Sequence, residues 1–209
     1  MEPGGAEADG AAGSSPLDEA RPEPSGPSPE RLVRLGLAFY AVLFGLAFAW
    51  RRLGQGESLW LATPDSEVRW LRDAALGLAA AAALIAGSAW LTRRVAAGER
   101  LARALAETIG PLRPGQAWAL ALASGIGEEA LFRGALQPVA GLWLASFVFA
   151  LAHFVPRREL LLWSVFSLVA GLLLGGLFDA TGNLLAPTVA HVVVNGVNLN
   201  RLVREYGSG

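Results

Sequence analysis

Six stretches of this 209-residue chain, residues 35–50, 74–92, 114–127, 134–156, 160–178 and 180–200, contain no Asp, Glu, Lys or Arg. Backbone amides in apolar surroundings must satisfy one another, which leaves helices or closed barrels as the only spanning structures. A helix needs about 20 apolar residues to cross a hydrocarbon layer of about 30 Å. Residues 74–92, 160–178 and 180–200 meet that length alone. Residues 35–50 meet it when Arg34, Arg51 and Arg52 snorkel toward the interfaces. Residues 114–127 and 134–156 meet it if one helix runs through Glu128-Glu129 to about Pro138. A turn over residues 138–141 then starts another span that ends near His153. The expected fold is therefore all-α, a polytopic transmembrane helical bundle of about six spans.

Composition agrees with this class. Charged residues make up 17% of the chain and hydrophobic residues 53%, whereas a soluble domain carries about a quarter charged residues. The mean hydropathy of +0.42 understates the remainder, because residues 1–30 hold six of the twelve prolines together with many Gly, Ala, Ser and Glu. Those 30 residues lack the apolar surface to offset the entropy of ordering and read as a disordered acidic tail, not as a signal peptide. Residues 31–114 then supply two N-terminal spans with their loops, 115–204 a membrane core, and 205–209 a short tail. The absence of cysteine excludes disulfides, thiolate zinc sites and a cysteine nucleophile. A net charge of −1 gives no support to nucleic-acid binding.

The basic residues orient the spans. All 17 are arginine. With the N-terminus in the cytoplasm, twelve of them (Arg21, Arg31, Arg34, Arg93, Arg94, Arg100, Arg103, Arg113, Arg157, Arg158, Arg201, Arg204) fall inside. Arg51, Arg52, Arg69 and Arg72 fall outside, and Arg133 lies within a span. That asymmetry follows the positive-inside rule and places both termini in the cytoplasm. The seven tryptophans lie near proposed span ends or in a connecting loop, as an interfacial aromatic belt requires.

Ionisable groups at membrane depth are costly and mark function by default. There are five: Glu128, Glu129, Arg133, His153 and His191, including both histidines of the chain. At about 100° per residue, Glu129 and Arg133 share a helix face and can pair. Glu128 is rotated away from Arg133 by roughly 140° and is left free. Phe149 and His153 share a face, as do His191 and Asn195, with Asn198 continuing the latter stripe. Three helices thus each offer a polar stripe that only the bundle interior can accept. The bland reading of the two histidines is a pair of satisfied structural hydrogen bonders. Ser124 lies one turn before Glu128, but no histidine is in register with it to make it a nucleophile.

Glu128-Glu129-x-x-x-Arg133, Phe149-x-x-x-His153 and His191-x-x-x-Asn195, in that order, resemble the three motifs of the CAAX prenyl protease 2 and bacteriocin-processing (CPBP, or Abi) family of intramembrane endopeptidases. Gly175, Thr181-Gly182-Asn183 and Pro187 resemble its C-terminal portion, and the likeness covers about residues 115–200. One such motif is weak evidence; three in order on apolar helices are specific. The resemblance implies peptide-bond hydrolysis with no covalent enzyme intermediate. It makes Glu128 and His153 the water-activating pair, His191 and Asn195 the oxyanion site, and Glu129 with Arg133 a structural ion pair. It implies no cofactor. The implied partners are a peptide or protein substrate at the membrane and the bilayer itself.

Three rival readings remain open on the sequence. A zinc enzyme could use Glu128, His153 and His191 as ligands, although no H-E-x-x-H spacing occurs and Asn195 is a poor zinc ligand. A non-enzymatic immunity or scaffold protein could keep the motifs as a polar clasp. A proton-carrying transporter lacks the expected inverted repeat. The Arg- and Ala-rich, lysine-free composition suggests a GC-rich prokaryote and therefore a plasma-membrane location. The substrate, prenylated or not, is not legible.

Overall fold

The computed structural model describes residues 28–206. The tail expected over residues 1–30 lies almost wholly outside the described residues, as do residues 207–209. The described chain is helical: α1 (Pro29–Phe48, continued by a π-helical turn, Ala49–Gly54), α2 (Trp70–Arg94), α3 (Ala96–Ile109), α4 (Pro114–Glu129, continued by a π-helical stretch, Ala130–Leu136), α5 (Gln137–Ala152), α6 (Leu161–Thr181) and α7 (Leu185–Tyr206). Extended pairing among the described residues is limited to one isolated antiparallel bridge, Leu61 with Asn183.

Four helical stretches among the described residues are long and apolar enough to cross a membrane: Pro29–Gly54, Trp70–Arg94, Pro114–Ala152 and Arg158–Thr181. The expected count of about six is corrected accordingly. The third and fourth apolar runs fall in one continuous helical stretch, Pro114–Ala152, which turns back on itself where the sequence expects a turn: Phe149 packs 5.0 Å from Phe132 and His153 comes within 3.6 Å of Glu128. The break falls at Gly141, whose φ of 76° and ψ of 165° are accessible to glycine at no steric cost. The sixth run forms α7, but Asn195, Asn198, Asn200, Arg201 and Arg204 along it keep that helix outside the apolar class. The outer surface is what a lipid-facing bundle requires. Phe39, Val42, Leu71, Val139, Phe147 and Val169 are all more than half exposed, an apolar surface that water would penalise.

Contacts sort the bundle into two ends. At one end the loop after α1 folds onto the α6–α7 turn. Ala62 N–H donates to Gly182 O at 2.9 Å and Leu184 N–H to Trp60 O at 3.0 Å. Asn183, fully buried, donates to Glu67 O at 3.0 Å and to Asp73 Oδ2 at 2.8 Å. Gly182 closes α6 with a left-handed φ of 69°. At the other end Leu101 and Ala104 of α3 cluster with Leu160, and Val33, Leu112 and Ala117 cluster with Leu199 and Val203. The amphipathic helix α3, which the charge-free runs did not reveal, therefore lies under the end where α1 begins and α7 finishes.

Helix α1 meets α4 through backbone. A Cβ placed on Gly127 would come within 2.8 Å of the Tyr40 carbonyl oxygen and 3.2 Å of Tyr40 Cβ, the close approach that small residues permit between membrane helices. Gly127→Val is expected to lower stability by about 1–3 kcal/mol through overpacking, read as a reduced unfolding midpoint in detergent. Gly45→Val, at a site with nothing within 4 Å, is the control and should leave the midpoint unchanged.

Candidate active site

Glu128 and Glu129 end α4 just where the helix widens into its π-helical stretch, and such widenings recur at functional sites. The two adjacent carboxylates share His191 as a neighbour but differ in their other partners. Glu129, with no exposed surface, accepts from Arg133 Nη1 at 3.1 Å and lies 2.6 Å from His191 Nδ1. Arg133 is 1% exposed. It donates a second bond to the carbonyl of Gly171 in α6 at 3.1 Å, and its guanidinium sits 4.4 Å above the Phe149 ring. The i, i+4 pair thus does more than compensate itself: through Glu129 it also holds His191, and through Arg133 it ties α4 to α5 and α6.

Glu128 faces the two imidazoles. Its Oε2 lies 3.6 Å from His153 Nε2 and 3.9 Å from His191 Nε2. That oxygen is buried and has no hydrogen-bond partner, an arrangement that carries a free-energy cost unless something binds there. His153 closes α5, and its Nδ1 lies 2.8 Å from the Phe149 carbonyl. A carbonyl can only accept, so Nδ1 carries the proton, and in the neutral ring Nε2 presents its lone pair to Glu128. One turn beyond His191, Asn195 Nδ2 donates to Ser124 Oγ at 2.9 Å, and Ser124 donates in turn to Ala121 O at 3.1 Å. Ser124 is thereby engaged as a support for Asn195.

Sequence-selected residues from three separate segments therefore meet in one place: Glu128 and Glu129 of α4, His153 of α5, and His191 and Asn195 of α7. Tyr40 was not among them. It lines the same cavity as Glu128. The available signal was a lone hydroxyl in the middle of the first apolar run. It was hard to see because α1 carries none of the motif residues.

A cavity of about 740 Å³ connects this cluster with the α3 end of the bundle. Its wall includes Glu128, His153, His191 and Asn195 at depth, and Arg157, Arg201 and Tyr206 toward that end. The depth of His153 relative to Arg157 and Arg158 is explained by this passage: the histidine caps a helix that stops short of the end of the bundle. As for a metal, Glu128, His153 and His191 are the donors that converge, and Asn195 is committed to Ser124. Among the described residues no group of three or more His, Asp or Glu side chains is placed to hold a metal ion.

Residues 111–197 match the family described as Rce1-like, type II CAAX prenyl endopeptidase. The family resemblance holds over that stretch, which contains every residue of the cluster except Tyr40. An uncharacterized protein of Bacillus subtilis (strain 168), YpbD, is 44% identical over 80 residues, which are 37% of this chain and 41% of that protein. The chain thus spans well under half the length of that relative. No solved structure matches.

Proposed function

We propose that this multi-pass membrane protein, Rce1-like over residues 111–197, is an intramembrane endopeptidase that hydrolyses peptide bonds with a glutamate-activated water. The observation that carries the reading is the buried, unpartnered Oε2 of Glu128, set 3.6 and 3.9 Å from two imidazole nitrogens. Those separations are too long for direct hydrogen bonds but let one water bond to the carboxylate and to His153 together.

The division of labour follows from the tautomers. The lone pair on His153 Nε2 and the Glu128 carboxylate take a proton from the water, which attacks the scissile carbonyl. His191 already holds Glu129 through Nδ1. To donate from Nε2 as well it acts as the imidazolium. The buried cluster then contains two carboxylates, Glu128 and Glu129, and two cations, Arg133 and His191, so no uncompensated charge is left at low dielectric. His191 Nε2–H and the second N–H of Asn195 are the donors for the tetrahedral oxyanion, the preorganised electrostatic contribution that usually dominates acyl transfer. The amine leaves with the proton taken from water.

The reaction in this reading needs no metal ion. Activity of the purified protein should survive a chelator that strips zinc, with no stoichiometric metal found by elemental analysis. Loss of activity restored by zinc would transfer Glu128, His153 and His191 to the role of ligands. The substrate is a membrane-associated or lipidated peptide or protein in a prokaryotic plasma membrane, reached from the α3 end. Eleven described arginines (Arg31, Arg34, Arg93, Arg94, Arg100, Arg103, Arg113, Arg157, Arg158, Arg201 and Arg204) lie at or near that end, against Arg51, Arg52, Arg69 and Arg72 at the other. This bias supports a cytoplasmic α3 end. Reporter fusions should therefore read cytoplasmic at residue 105 and external at residue 62, and the reverse pattern would invert the orientation. The substrate itself is found by comparing peptide termini in membranes that carry the parent chain with those carrying Glu128→Gln. Identical termini in the two would remove the endopeptidase reading.

A further inference from the structure

The polar side of the cavity does not stop at Asn195. One turn further toward the cavity mouth along α7, Asn198 also lines the wall, and Ser88 of α2 donates to its Oδ1 at 3.2 Å while sharing the same hydroxyl proton with Ile85 O at 2.9 Å. The Asn195–Ser124 and Asn198–Ser88 pairs therefore make two successive amide rungs, each tethered by a serine from a neighbouring helix. Much of the surrounding wall is apolar, including Phe39, Leu105 and Phe166. The amide oxygen of Asn198 is already occupied by Ser88, so what this side chain has to offer a ligand is N–H donors. Asn195 has one N–H on Ser124 and one left to donate.

We infer that Asn198, positioned by Ser88, is a binding subsite for the main chain of an extended peptide, donating to a substrate carbonyl on the mouth side of the bond that is cut. Side chains three apart on a helix have Cβ atoms about 5–6 Å apart. An extended chain advances about 3.3 Å per residue, so carbonyls on one edge recur roughly every 6.6 Å. Asn195 and Asn198 together match two carbonyls of one strand edge, with the scissile one at Asn195 and the second two residues away. Recognition of this kind reads backbone, not side chains, and leaves the apolar wall for the substrate's hydrocarbon. The inference rests on the endopeptidase reading for which bond is cut, but the binding it describes can be measured without cleavage.

The test uses the full-length Glu128→Gln chain in detergent, with a fluorescein-labelled farnesylated octapeptide followed by anisotropy and radiolabelled farnesol as the purely apolar probe. Asn198→Asp keeps the oxygen that accepts from Ser88 but replaces the N–H donors with a carboxylate that repels a carbonyl. It should weaken the peptide about tenfold and leave farnesol within twofold. Asn198→Ala should weaken the peptide to a similar degree, with its unfolding midpoint recorded to show that the chain is folded. Unchanged peptide affinity, an equal loss for both probes, or no saturable peptide binding to the parent would each overturn the inference. The two readings fail separately. If peptide binding depends on Asn198 but the chain with Glu128 intact leaves the peptide uncut, the subsite stands and the endopeptidase reading falls. If the peptide is cut in a Glu128-dependent way and Asn198→Asp alters neither its binding nor its KM, the subsite falls alone.

Discussion

Glu128→Gln is expected to accumulate in membranes to the level of the parent chain and, under the proposed endopeptidase reading, to cleave about 10²–10⁴-fold more slowly, the range associated with losing a general base. The substitution is nearly isosteric, and the oxygen it perturbs has no hydrogen-bond partner to lose. Folding therefore has little at stake. Chemistry has much, because in the proposed mechanism the same carboxylate both positions and deprotonates the only nucleophile. Rates of substrate loss in isolated membranes, normalised to protein abundance, provide the measurement. His153→Ala should fall in the same class, while Asn195→Ala should retain a residual rate, since one oxyanion donor is worth about 10²–10³. A Glu128→Gln protein that still cleaves would move the base to another residue.

Glu129→Gln is expected to fail at an earlier step, with little folded protein accumulating. Its carboxylate is fully buried and faces both Arg133 and His191, at 3.1 and 2.6 Å. Removing that charge leaves Arg133, 1% exposed, without its counter-ion. Breaking a buried pair by deleting one partner costs about 3–5 kcal/mol, a large part of the stability of an ordinary domain. The paired variant Glu129→Leu with Arg133→Met separates folding from function. Replacing both charges by apolar groups is often neutral or stabilising, so abundance should recover substantially. Activity should not, because His191 loses the acceptor that orients its ring. Abundance by immunoblot and cleavage by peptide release decide the case. A double variant that both accumulates and cleaves would reduce the pair to a purely structural clasp and remove Glu129 from the support of His191.

The adjacency of the two glutamates shows what was readable before any coordinates. Because an α-helix turns by about 100° per residue, neighbours 128 and 129 leave the helix in different directions, and register alone sends Glu129 to Arg133. The same arithmetic aligns His191 with Asn195 and Asn198. Register says nothing about contacts between helices. That Glu129 also holds His191, 62 residues away, that Arg133 reaches Gly171 O, and that Asn195 leans on Ser124 depend on how α4, α5, α6 and α7 pack. The span count differs for a related reason. Hydropathy is additive along the chain, so it marks apolar runs faithfully and brackets the turn over residues 138–141, which the chain makes at Gly141. It is a poorer guide to the last run, where Asn and Arg side chains crowd α7. Helix α3 is not marked by any uncharged run because it is amphipathic, and its apolar face is covered only when α2, α6, α7 and the Arg158–Leu160 turn are in place.

By itself the sequence determined the class of molecule and the chemical groups at its centre. Long uncharged runs leave the backbone no alternative to helices in lipid, and five ionisable groups set within or between such runs at membrane depth must find one another in the interior or not be tolerated. Only the tertiary structure decided how those groups divide the work. Packing of four helices sets one carboxylate oxygen beside two imidazoles with no partner of its own, and gives its neighbour two. It adds Tyr40 from a helix that carries no motif, and it leaves a passage of about 740 Å³ toward the α3 end. Distances of 2.6 and 3.6 Å separate a carboxylate held by its partners from one left without any, and differences of one ångström between side chains on different helices arise from packing, which no periodicity along one chain encodes.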